Sequence, residues 1–117
     1  MQKRSKAKHF AERVADLLTL TGMTQRELAW LLGISHVSVS RWVSGEHIPS
    51  KLTEMVIGAL EVVARRGRKR ALLKAVRHKS IRGGTQEAFK LIVDLAYSRQ
   101  AAKGGLSKAL DPLGSAR

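Results

Sequence analysis

Thr24–Gly45 reads TQRELAWLLGISHVSVSRWVSG, and its two halves follow different rules. In the first half Thr24 suits a helix N-cap and Glu27, three residues on, completes a capping box. Leu28, Ala29, Leu31 and Leu32 give that helix its apolar side, and Gly33 supplies a left-handed stop. Ser35 then caps a further helix of about 35–44, which Gly45 ends. At a helical period Val39, Trp42 and Val43 fall together and face inward. Val37, Ser40, Arg41 and Ser44 fall on the opposite side, with His36 at the N-terminal edge.

A merely solvated helix face usually carries Lys and Glu. Here short side chains let the backbone approach a surface, and Arg41 is long enough to enter a groove. Two short helices joined through Gly33 and Ile34 describe a helix-turn-helix, whose second helix lies in the DNA major groove.

Helical periodicity continues on both sides, with almost no strand-like alternation. A first helix is expected from about Lys8 to Thr21, with Phe10, Val14, Leu17, Leu18 and Thr21 on one face and Gly22 ending it. Ser50, after Pro49, opens a fourth helix carrying Leu52, Met55, Val56, Ala59, Leu60 and Val63. Beyond Gly67 a short basic helix over Arg68–Lys79 has Leu72, Leu73, Ala75 and Val76 on its apolar side. The run SIRGG, 80–84, reads as a linker. A last helix is expected from Thr85 to about Lys103, with a stripe of Ala88, Phe89, Ile92, Val93, Ala96 and Tyr97. Gly104 and Gly105 end it, and the remainder to Arg117 reads as a loose tail. The expected organisation is a basic arm over 1–8, a DNA-binding domain over 9–66, a basic helical extension over 67–104 and a flexible tail over 105–117.

The 117 residues include 44% apolar ones, enough for a modest core. A unit of roughly 60 residues buries only about 60% of its unfolded surface, so a partner subunit would add stability. The absence of cysteine excludes disulfides, thiolate metal sites and cysteine nucleophiles. No run approaches the roughly 20 apolar residues that span a bilayer, and MQKRSKAKHF lacks the apolar stretch of a secretory signal. The expected location is the cytoplasm, in association with the nucleoid.

Twenty-two Lys and Arg against nine Asp and Glu give a formal charge of +13, with a pI near 11.2. Such a chain is drawn to polyanions, of which nucleic acid is the commonest in a cytoplasm. Lys3, Arg4, Lys6 and Lys8 form one basic block. Arg65, Arg66, Arg68, Lys69, Arg70, Lys74, Arg77, Lys79 and Arg82 form another without an interleaved acid. The intervening stretch is nearly balanced, as a folded core with basic flanks would be.

The stretch GMTQRELAWLLGISHVSVSRWVSGEHIP resembles the helix-turn-helix of Cro/C1-type (XRE) phage repressors and regulators. The shared pattern is Thr24-Gln25, Leu28-Ala29, Gly33, Ser35, Val39, Ser40-Arg41-Trp42, Gly45 and Pro49, within a resemblance covering about Phe10 to Leu60. It implies an all-α, lambda-repressor-like domain. It also implies base contacts from His36, Val37 and Arg41, with Ser40 beside them, and phosphate contacts from Gln25, Ser35, Ser38, Ser44 and Lys51. Lys3, Arg4, Arg65, Arg66, Arg68, Lys69 and Arg70 are expected to supply nonspecific affinity. Relatives often carry Gln pairs where this chain has His36 and Val37, so adenine recognition by Gln does not carry over. Val37 suits a thymine methyl, and Arg41 suits guanine O6 and N7.

His9, His36, His47 and His78 have no metal-ligand spacing, and the acids form no compact catalytic pair. The expected protein is therefore a non-enzymatic, cofactor-free regulator of transcription. It is read as a repressor that binds double-stranded DNA as a homodimer, with no membrane role. The Phe89–Tyr97 stripe suits packing on the N-terminal domain or a dimer interface, the latter favoured, and 85–103 could also hold a protein partner. Two rivals keep the DNA contact and change its purpose: an antitoxin that represses its own operon, and a phage DNA-packaging small subunit.

Overall fold

The computed structural model describes residues 2–78 and 82–98, with side chains from residue 6 onward. The described residues form six helices and no strand: α1 Gln2–Thr21, α2 Gln25–Leu32, α3 His36–Val43, α4 Lys51–Arg65, α5 Lys69–Arg77 and α6 Gln86–Tyr97. The fold is all-α, with α2 and α3, joined through the Gly33 turn, as a helix-turn-helix.

Local chemistry sets most helix ends. Thr24 Oγ1 accepts from the Glu27 N–H at 3.0 Å while Glu27 Oε1 accepts from the Thr24 N–H at 2.9 Å, so two otherwise unpaired donors at the start of α2 are satisfied. Ser35, Ser50 and Thr85 hydroxyls cap α3, α4 and α6 through the N–H three residues on. Gly33, at φ 74°, turns the chain left-handed between α2 and α3, and the Ile34 N–H closes the end of α2 on the Ala29 carbonyl at 3.0 Å.

The core is continuous through all six helices. Phe10, Val14 and Leu17 of α1, Leu28 and Leu31 of α2, Val39 and Trp42 of α3, and Ile57, Leu60 and Val63 of α4 are all buried. Each large side chain so buried contributes about 1.5–3 kcal/mol. Phe10 and Trp42 meet edge to face at 5.7 Å, which pins α3 onto α1. Thr21 is buried without loss, since its hydroxyl donates to the Leu17 carbonyl and accepts from the Met23 N–H. Arg13 joins α1 to α4 by a two-pronged pair with Glu61, at 3.0 and 2.8 Å, and a third contact to Glu54.

Several boundaries differ from expectation. The first helix begins at Gln2, not Lys8, so the basic block at the N-terminus belongs to α1. Lys, Arg and Ala are good helix formers, and no Gly or Pro interrupts them. The final helix stops at Tyr97, with Ser98 extended, and 99–103 lie outside the described residues. Its C-terminal carbonyls are held by α4 and its exit: Arg66 Nη1 donates to the Ala96 carbonyl at 2.8 Å, and Arg68 Nη1 to those of Leu95, at 2.7 Å, and Ser98. The apolar faces of α4 and α6 are partly the expected ones, with Ala59, Leu60, Val63, Ala88, Ile92 and Ala96 buried, and partly turned from them. Leu52, Met55, Val93 and Tyr97 are exposed, while Ile57 and Leu95 are buried.

The supposed linker is partly a packed joint. The Gly84 N–H donates to the Leu31 carbonyl at 2.8 Å, against the helix-turn-helix turn. A methyl group on Gly84, whose φ is 74°, would lie 2.6 Å from Gly33 Cα, and one on Gly83 would run into the Trp30 carbonyl. Residues 80 and 81 of that stretch, and Lys79 before it, lie outside the described ones.

Candidate nucleic-acid interface

Trp42 and Val39 anchor one side of α3 in the core. His36, Val37, Ser40 and Arg41 consequently stand exposed on its other side, as the helical period required. Val37 is 46% exposed. The face can thus offer a methyl-sized apolar contact, an imidazole, a hydroxyl and a five-donor guanidinium to a groove.

The residues assigned to the phosphate backbone divide by how the fold employs them. Gln25 opens α2 half-buried, and Lys51 opens α4 exposed. Ser35 Oγ accepts from the Ser38 N–H at 3.3 Å, and the two hydroxyls lie 3.4 Å apart, so both residues stabilise the start of α3. Ser44 is committed internally: its hydroxyl is placed to donate to the Arg41 carbonyl at 3.1 Å and to Glu46 Oε2 at 3.0 Å. Its single proton therefore has protein acceptors already.

A cleft of about 270 Å³ runs between α3 and the start of α4, lined by Ser38, Arg41, His47, Pro49 and Ser50 among others. A second groove brings Lys6 and His9 of α1 beside Lys51. His47, Ser50 and His9 are thus additional polar candidates that sequence spacing missed. The available signal was their nearness in the chain to Arg41, Lys51 and Lys8.

The basic run also divides. Arg66 and Arg68 hold the end of α6. Burial first, and then the Arg66 charge, pull the Arg68 pKa down from its ordinary value. This is a structural role, unlike the open phosphate-facing one expected from the charge pattern. Arg77 Nε donates to Glu27 Oε2 at 2.9 Å, and its Nη2 donates to the Gly22 carbonyl at 2.9 Å, beside the start of α2. The Arg77 hydrogen bond, opposed by desolvation and assisted by the Thr24 N–H, holds the Glu27 carboxyl below its usual range. Arg65, Lys69, Arg70 and Lys74 are exposed. Lys3 and Arg4 lie on α1, with side chains outside the described set. Among the described residues no group of three or more His, Asp or Glu could hold a metal ion, and no helix is long and apolar enough to cross a membrane.

Residues 14–53 match the Helix-turn-helix family. Over 57 residues the chain is 42% identical to the HTH-type transcriptional regulator for conjugative element R391 of Providencia rettgeri. It has the same identity to the regulators for elements SXT of Vibrio cholerae and pMERPH of Shewanella putrefaciens. Each match covers 49% of this chain and 26% of the relative, so it spans about a quarter of those proteins. No solved structure matches the chain. With α2, the Gly33 turn and α3 inside the matched stretch, residues 14–53 form a helix-turn-helix similar to those of the Cro/C1 (XRE) type.

Proposed function

We propose that this protein is a sequence-specific, double-stranded DNA-binding regulator of transcription, acting as a repressor and as a homodimer on an inverted repeat. The observation that carries the reading is the outer face of α3, where His36, Val37, Ser40 and Arg41 are all exposed beside a buried Val39–Trp42 anchor. In this reading α3 enters the major groove, and Arg41 pairs with a guanine while Val37 packs on a thymine methyl. Gln25, Ser35, Ser38 and Lys51 face phosphates around it, and the exposed cations of α1 and α5 add affinity that is blind to sequence. The protein works by occupancy, without catalysis or cofactor: a bound dimer excludes other proteins from the site.

Selection of duplexes from a random pool tests it. The reading expects an enriched inverted repeat whose half-sites each contain a required guanine, and Arg41→Ala should relax the requirement at that position. Retention of all duplexes alike by the wild-type protein would refute sequence-specific regulation.

A further inference from the structure

The seam between α4 and α6 leaves an apolar face uncovered. Leu52 and Met55 of α4 are 68% and 67% exposed, and Val93 and Tyr97 of α6 are 49% and 61% exposed. With Val56 and Phe89 these side chains line one groove of about 300 Å³. Single exposed apolar residues are ordinary, but a contiguous set on adjoining helices marks a surface that is covered in use.

The charge around the groove argues against nucleic acid as its occupant. α6 carries Glu87 and Asp94 against Lys90, and is the described helix in which acids outnumber bases. α4 is balanced, with Lys51 and Arg65 against Glu54 and Glu61, whereas α5 has four bases and no acid. In a chain of charge +13, two copies meet with little like-charge repulsion on the α4–α6 face.

The rim also has a self-complementary pattern. Lys90 and Asp94 are exposed one helical turn apart, alongside the Phe89–Val93–Tyr97 stripe. A two-fold axis near Val93 runs α6 antiparallel to its copy, which sets Lys90 of each chain beside Asp94 of the other. We infer that the α4–α6 groove is the homodimer interface. Leu52, Met55, Val93 and Tyr97 form its apolar centre, and two reciprocal Lys90–Asp94 pairs fix its register. The patch starts at Leu52, directly after Lys51, so it adjoins the candidate DNA-facing end of α4. The inference deepens the dimeric-regulator reading above and rests on it for the surface's purpose.

Sedimentation equilibrium of the full chain without DNA tests it. The wild type should be a dimer. Met55→Glu and Val93→Glu should each weaken it at least tenfold, with unchanged circular dichroism because both positions are exposed. Lys90→Asp and Asp94→Lys should each weaken self-association by about tenfold, and an equimolar mixture of the two should restore a dimer, because every cross pair is again of opposite sign. A monomeric wild type, a dimer untouched by Val93→Glu, or a mixture no tighter than its components would overturn the assignment. A monomer that still selects a DNA sequence sinks the interface and the dimeric part of the reading but leaves sequence-specific binding standing, and a dimer without sequence preference sinks the regulator reading alone.

Discussion

Arg41 and Arg68 share a side chain and differ in everything around it. Arg41 is exposed on α3, so its five donors face outward. Arg68 is buried, and its guanidinium spans the carbonyls at the end of α6. Arg41→Ala is therefore expected to leave the melting temperature unchanged and to cost about 1 to 3 kcal/mol of discrimination at one base pair. Arg68→Met is expected to do the reverse: a clear loss of melting temperature, with the preferred sequence retained in whatever protein stays folded. Calorimetry and duplex titration on both variants check the pair. Gly84→Ala should destabilise the fold by about 1–3 kcal/mol or more, because the position combines a positive φ with near-contact of two backbones. Denaturant unfolding measures that loss.

At the scale of elements, the motif at 24–45 was legible because each signal in it is local. A cap, an apolar stripe and a glycine determine a helix without reference to the rest of the chain, and α2 and α3 start and stop where those signals lie. The end of α6 was not legible, since no breaker precedes Gly104 in the sequence. Arg66 and Arg68, about thirty residues away, hold its last carbonyls instead. The joint at Gly83–Gly84 was misread as a linker for the same reason, because close backbone approach leaves no periodicity to detect. The α2 capping box also makes a pH prediction. The Glu27 pKa is lowered on folding, chiefly by Arg77, so its stabilisation is present above the ordinary carboxylate pKa and is lost as pH falls through the folded value. The stability gap between wild type and Glu27→Gln should be full at neutral pH and close in acid, as read from melting temperatures across the pH range.

For the whole molecule, composition revealed the excess of positive charge but could not apportion it. The fold commits Arg13, Arg66, Arg68 and Arg77 to internal contacts and leaves Arg65, Lys69, Arg70 and Lys74 exposed. Affinity for DNA should fall steeply with salt, by about 0.9 log units per tenfold salt for each phosphate contact. Replacing Lys69, Arg70 and Lys74 together by Gln should weaken binding to every sequence alike and flatten that slope, as salt-dependent titrations would read. The outward set on α3 was visible in the sequence because helical period and core anchors fix which side faces out. The α4–α6 face was half visible: the Phe89–Tyr97 stripe stood out as a candidate interface, but the share of α4 in it did not, since apolar stripes on single helices do not reveal which part a neighbour covers.

The most direct test of the central claim, that α3 reads base edges in the major groove, is a coupled titration. Wild type and Arg41→Ala are each bound to the selected duplex and to the same duplex with 7-deazaguanine at the required guanine, which removes the N7 acceptor. The account predicts that this substitution weakens the wild-type complex substantially and leaves the Arg41→Ala complex almost unaffected, so that the two changes are strongly coupled. An equal effect on both proteins would contradict it.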